Sequence, residues 1–226
     1  MKRFSLLLIV ELCFLLALTA QAQFKMAIGP AIGLNYNIHT GSDLPKSGSG
    51  VGLAIAGQAD MSFSKTVGLL FSIYFYDNRS GLYTETTFSR VDPQYGPYGT
   101  DRDYSASIAY LEIETLFKAS LEAAPIYFVV GSSIGFDIES SYEPKITNWV
   151  TNWPQYNQTQ TEKGTIQKMN VRFELKAGGG YVLPLSKSMR INSQLTFGYG
   201  PTNVIEDTKW RILTFGLLAS IEFDVL

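Results

Sequence analysis

From Phe24 to the end of this 226-residue chain, polar and apolar residues alternate with a period of two, and no stretch sustains a helical period. A chain so patterned is confined to strands that show unlike faces to two environments. Eight segments carry the pattern, near 24–36, 50–63, 67–80, 103–119, 125–140, 165–182, 188–200 and 209–225. Most are longer than the ~5–6 residues of an ordinary strand. They suit the ~9–11 residues of a tilted membrane strand with extensions beyond the bilayer. The connections around Ser64-Lys65-Thr66, from Leu121 to Ala124, and from Pro184 to Lys187 are tight. Those at 37–49, 89–102, 141–164 and 201–208 are longer and rich in Gly, Pro, Asn, Ser and Asp. Short and long alternate throughout, as they do in barrels with short periplasmic turns and longer outer loops. An even strand count then puts both termini on the periplasmic side.

Two of the segments show what the faces are made of. In the sixth, Lys168, Asn170, Arg172, Glu174 and Lys176 alternate with Met169, Val171, Phe173, Leu175 and Ala177. In the last, Leu213, Phe215, Leu217, Ala219, Ile221, Phe223 and Val225 form one face, against alternates that include Thr214, Gly216, Ser220, Glu222 and Asp224. A soluble lipocalin-like barrel turns such an apolar face inward around a ligand; a membrane barrel turns it to the lipid. The second arrangement fits better. The polar faces of the first two segments are largely Gly29, Ala31, Gly33, Gly52, Ala54 and Ala56, small enough for a narrow interior. Asp60, Glu112, Glu114, Arg172, Glu174, Lys176, Arg190 and Glu222 carry both signs of charge on alternating positions, a set expected to pair inside the lumen. Tyr36, Phe63, Phe75, Phe117, Phe128, Phe136, Tyr181, Tyr199 and Trp210 lie towards segment ends, where interfacial aromatics belong.

Composition narrows the classes further. Charged residues are 17% of the chain and hydrophobic ones 46%, with a net charge of −2, so neither a disordered polyelectrolyte nor a nucleic-acid binder is indicated. Met1-Lys2-Arg3, the apolar run from Phe4 to Leu18 and Ala20-Gln21-Ala22 read as a signal peptide over 1–22, leaving one domain over 23–226. The one cysteine, Cys13, falls inside that segment behind the bulky Leu12, so neither lipidation nor a disulfide is expected. Removing Lys2, Arg3 and Glu11 from 18 basic and 20 acidic residues leaves 16 and 19, a net of −3.

The Ala20-Gln21-Ala22-Gln23 signal end, the Gly-rich opening strand Ile28-Gly29-Pro30-Ala31-Ile32-Gly33-Leu34-Asn35-Tyr36 and the closing strand are together similar to the small outer-membrane β-barrel family widespread in Bacteroidota, in the company of OmpA-like and porin-family barrels. The resemblance covers the mature chain. It implies an eight-stranded antiparallel up-and-down transmembrane β-barrel in the bacterial outer membrane, with outer-membrane lipids and an envelope assembly as partners, and no cofactor. Family barrels often end on an aromatic; here Phe223 is followed by Asp224-Val225-Leu226. No peptidoglycan-binding domain follows, so cell-wall anchoring is not implied.

Candidate chemistry is sparse. His39, beside Thr40, Gly41, Ser42 and Asp43, offers a base near a hydroxyl, the arrangement used by lipid-modifying barrels; a solvated loop histidine is the expected state and no enzymatic activity is expected. One His and no mature Cys exclude the usual zinc sites, and Asp92, Asp101 and Asp103 lack a calcium-loop spacing. The charged set is expected to plug the interior, with a narrow ion path as the alternative. Tyr95 and Tyr98 in the second long loop, and Trp149, Trp153 and Tyr156 in the third, are the candidate partner-binding residues.

Overall fold

The computed structural model describes residues 24–42, 47–92, 96–150, 154–166 and 168–225. The expected signal peptide, Tyr95 and Trp153 lie outside the described residues. Within them the chain forms eleven strands: β1 (Lys25–Thr40), β2 (Gly48–Ser62), β3 (Val67–Asn78), β4 (Gly81–Asp92), β5 (Gly96–Ser120), β6 (Ile126–Val150), β7 (Gln158–Thr161), β8 (Gly164–Thr165), β9 (Arg172–Pro184), β10 (Met189–Tyr199) and β11 (Arg211–Asp224). All pairings are antiparallel. Starting at β1 they run through β2, β3, β5, β6, β9, β10 and β11, and β11 pairs back with β1 from Ala27↔Asp224 to Thr40↔Arg211.

These eight long strands coincide with the eight expected segments, but two expected loops are largely strand. Much of 89–102 and 141–164 extends β5 and β6 to 25 residues each, flanked by β4, β7 and β8. The reason is local: Tyr83-Thr84-Glu85-Thr86-Thr87-Phe88 is rich in β-branched and aromatic residues and pairs with 99–104, while Tyr98 to Ser107 pair with Ser141 to Val150. Side-chain bonds follow the ladder, Thr100 Oγ1 donating to Asn148 Oδ1 (2.9 Å) and Thr147 bonding Thr159 across β6 and β7. The opposite correction applies to 168–171, part of the strand expected over 165–182. Lys168 has φ 58°, the Asn170 N–H donates to the Val204 carbonyl, and Met169 bridges to Ile205, so the chain crosses over the mouth before β9 begins.

Burial follows the alternation. On β11, Phe215, Leu217 and Ile221 are exposed while Thr214, Leu218, Ser220 and Glu222 are buried; on β2, Val51, Leu53 and Ile55 are exposed while Ala54, Ala56, Gln58 and Asp60 are buried. The apolar side thus faces out and the polar side in, the reverse of a soluble fold and of the ligand-carrying alternative. Where β3 inserts an extra residue between Tyr74 and Asp77, the buried positions shift from Ser72 and Tyr74 to Asp77 and Arg79.

Candidate functional site

All eight side chains of the expected charge set lie on the inward side, and the strand register brings them into two groups. In the first, Lys176 on β9 donates to Glu112 Oε1 (2.5 Å) and Glu114 Oε2 (2.7 Å) on β5. Arg172, one inward position away, donates to Glu174 Oε1 (2.6 Å) and Thr214 Oγ1 (3.1 Å). In the second, Asp60 on β2 accepts from Lys118 (2.5 Å) and from Arg190 Nη2 (3.0 Å), and Arg190 Nε donates to Glu222 Oε2 (2.7 Å). Asn192 and Ser220 donate to the other oxygen of Glu222. Between the groups lie Ala31, Ala54, Ala56, Tyr74 and Leu218.

Three charged interior members, Asp77, Arg79 and Lys118, were not foreseen. Arg79 Nη2 stands 2.5 Å from Asp77 and 3.6 Å from both Glu112 and Glu174. Glu112 Oε2 and Glu174 Oε2 have no hydrogen-bond partner, and this guanidinium adds to the charge that Lys176 and Arg172 set against the two carboxylates. Asp77 also accepts from Asn35 Nδ2 (2.5 Å), and Tyr74 OH donates to Glu114 Oε1 (3.1 Å). The β3 bulge hid Asp77 and Arg79 from a period-two reading, whereas Lys118 follows Glu112, Glu114 and Leu116 on one face and was there to be found. Among the described residues the interior therefore holds five cations (Arg79, Lys118, Arg172, Lys176, Arg190) against six carboxylates (Asp60, Asp77, Glu112, Glu114, Glu174, Glu222). Each cation also covers a ring or a second acceptor: Lys118 sits 4.7 Å from the Tyr127 centroid, Lys176 5.2 Å from Tyr74 and Arg172 5.5 Å from Tyr110.

Such a network costs a great deal to leave half-paired and offers little free charge to a passing ion. A space of about 420 Å³ opens beside Lys118 and Arg190, but the cavities beside the first group are small. Those lined by Tyr74, Arg79 and Lys176, and by Tyr110 and Arg172, measure about 10 Å³ each, room for single waters. Gly198 is glycine for a packing reason, since a Cβ there would overlap the Glu174 carboxylate.

His39 is not a solvated loop residue. It lies in β1 between Gly48 and Ile212, 1% exposed, with Nε2 donating to the Ser80 carbonyl (3.0 Å) and Nδ1 accepting from Trp210 Nε1 (3.0 Å). With both ring nitrogens engaged it has none left to activate Ser42, so the general-base reading of the sequence has no geometry behind it. Gly81 packs against the imidazole; a Cβ there would stand 2.6 Å from its Cδ2. Trp210 is likewise not interfacial. It is buried with Ile108, Tyr110, Ile166, Val204 and Ile212 in an apolar layer above the charges. The other aromatics placed at segment ends are exposed, except Phe63, which is half-buried.

Of the loop aromatics, two are described with their side chains, and both lie on strands. Tyr98 and Trp149 are half-buried on β5 and β6, where Trp149 pairs with Gly99 and lays its ring over that glycine. Tyr156 closes a single 3₁₀ turn, Pro154–Tyr156.

No protein-family model matches the chain, and no curated protein matches it. Solved structures similar to it include Ail, the attachment invasion locus protein of Yersinia pestis, at 12% identity over 88% of this chain and 99% of that one, with a TM-score of 0.38. Neisserial surface protein A is similar at 10% identity, 87% and 97% coverage and a TM-score of 0.38. The outer membrane protein OprG from Pseudomonas aeruginosa is similar at 8% identity, 91% and 98% coverage and a TM-score of 0.33. At such scores the functional reading rests on this chain's own geometry.

Proposed function

We propose that the chain is a non-enzymatic integral outer-membrane β-barrel whose eight long strands cross the bilayer, with the termini on the periplasmic side and the leading 22 residues removed on export. One observation carries this reading: where the eight long strands pair around the cycle, their exposed positions are mostly apolar while the buried ones carry the paired charges. Ile32, Leu34, Val51, Phe75, Phe128, Val130, Leu175, Leu195 and Leu217 are all exposed, on strands right around the pairing cycle. A soluble monomer rarely exposes apolar patches beyond a few hundred Å². A lipid-facing wall does so everywhere, and cyclic pairing satisfies each backbone group that lipid cannot.

The interior acts as a brace rather than a conduit, since five cations and six carboxylates engage one another and, although a space of about 420 Å³ opens beside Lys118 and Arg190, the cavities beside Arg79, Arg172 and Lys176 hold about 10 Å³ each. The sheet of β4, β5, β6 and β7 rises past the ends of β1, β9 and β11 and is the surface proposed for an envelope partner. Some 13 residues of β5 extend beyond the ring, about 40 Å at ~3.3 Å per residue. Tyr98 and Trp149 lie on it.

Fractionation tests the location and the closure together. Protein in carbonate-washed outer membranes is expected to run faster on a denaturing gel unboiled than boiled. Loss in the carbonate wash, with no heat shift, would overturn the reading.

A further inference from the structure

The outward face of β11 changes character at its outer end. Leu213, Phe215, Leu217, Ala219, Ile221 and Phe223 occupy successive outward positions, and the two before them are Arg211 and Lys209. The alternation is unbroken across the change: Lys209 exposed, Trp210 buried, Arg211 exposed, Ile212 buried. The stretch from Leu213 to Phe223 fits the ~9–11 residues a tilted strand needs to cross the hydrocarbon. On the membrane reading above, Arg211 therefore stands just past the outer edge of the apolar layer. Tyr199, paired with Leu213, and Tyr36, paired with Phe215, are both exposed immediately below it, where interfacial tyrosines belong.

What sets Arg211 apart is its company. Arg79, Arg172, Lys176, Lys118 and Arg190 each have a carboxylate within 3 Å. Among the described residues no carboxylate oxygen lies within 4.0 Å of Arg211. Instead its guanidinium is steered by neutral acceptors, Nε donating to Asn203 Oδ1 (3.4 Å) and Nη1 to Tyr199 OH (3.5 Å). Two of its five N–H groups are used, and the remaining donors have no partner among the described residues. A charged fork held in place at the membrane edge on the lipid side, with no carboxylate partner among the described residues, matches an anionic oxygen cluster.

We propose that Arg211, with Lys209 beside it on the same face, binds a phosphate of the anionic glycolipid of the outer leaflet. The headgroup sits over the guanidinium and the acyl chains lie along Tyr36, Leu213 and Phe215. A lipid rather than free phosphate is the ligand because the site continues the apolar row without a break, so anion and chains are met by one surface. This site rests on the membrane reading.

The test loads folded protein with bisphosphorylated or dephosphorylated lipid A in neutral phosphatidylcholine nanodiscs and measures the lipid A retained per protein by native mass spectrometry. The wild type is expected to retain the bisphosphorylated form preferentially. Arg211→Gln is expected to lower that retention about fivefold, Lys209→Gln by a similar factor, and Arg102→Gln on the extension not at all. Retention of the dephosphorylated form should be alike in all four proteins, and excess inorganic phosphate should displace little. Equal retention by wild type and Arg211→Gln overturns the site; displacement by inorganic phosphate alone shows a free-anion site and overturns the lipid assignment. The heat shift, read on the same samples, separates the two levels. A wild type that fails to insert overturns the membrane reading, whereas inserted protein indifferent to phosphate overturns only the site.

Discussion

Lys176→Met is expected to lower the stability of the folded protein by about 3–5 kcal/mol, the range found when one partner is removed from a buried ion pair. The Lys176 ammonium lies within 2.7 Å of Glu112 and Glu114 and 3.6 Å from Glu174, and all three carboxylates are fully buried. A methionine fills the volume but leaves Glu112 and Glu174 to Arg79 and Arg172, and Glu114 with the Tyr74 hydroxyl as its partner among the described residues. Five cations against six carboxylates becomes four against six. Urea unfolding from detergent micelles, followed by tryptophan fluorescence, measures the loss. The double variant Lys176→Met/Glu112→Gln restores the original charge difference and is expected to recover between about 0.5 and 3 kcal/mol, the span of coupling energies for groups in contact. If the single and double variants are equally destabilised, packing rather than charge explains the effect.

Leu217→Arg is the second large effect, and it acts on the opposite face. Leu217 is 53% exposed and lies between Leu34 and Leu195 in the cross-strand register, near the middle of the outward row of β11. An arginine at the bilayer midplane of a barrel costs roughly 2–4 kcal/mol, and near the interface roughly 0–1 kcal/mol. Val225→Arg, at the terminal end of the same face, supplies the shallow comparison. The expected result from reversible unfolding in lipid vesicles is a clear cost at 217 and almost none at 225. Equal costs at the two positions, or none at either, would mean that this face meets water.

The particular residues show how much of this was legible in the sequence. The alternation of Arg172, Glu174 and Lys176 with Phe173 and Leu175 defines both faces of β9, because a period of two fixes the side from which each residue projects. It could not give their partners. Lys176 meets Glu112 and Glu114 across more than sixty residues of chain, and Arg190 meets Asp60 across 130. Those meetings depend on register, and register depends on bulges such as the one between Tyr74 and Asp77. One inserted residue moved Asp77 and Arg79 to the interior, against the count. His39 misled for another reason. Its neighbours Thr40-Gly41-Ser42 read as a turn, but β2 and β11 pair on either side of it and Trp210 closes over it, so tertiary contacts override local composition. The extension was hidden in the same way, since Gly, Pro and Asn in 89–102 and 141–164 outweighed the Thr and Tyr residues that build its ladder.

The central claim is that the apolar wall faces lipid. Cysteines placed singly at 215, 217, 219, 221 and 223 of β11, in a protein whose one cysteine, Cys13, is replaced by Ser, can carry nitroxide labels in protein reconstituted into vesicles. Collision with oxygen, which concentrates in lipid, is compared with collision with a water-soluble nickel chelate. The account predicts high oxygen and low nickel access at every position, with the ratio greatest near 217 and 219 and falling towards 223. Nickel access that is uniform and high along the row would contradict it.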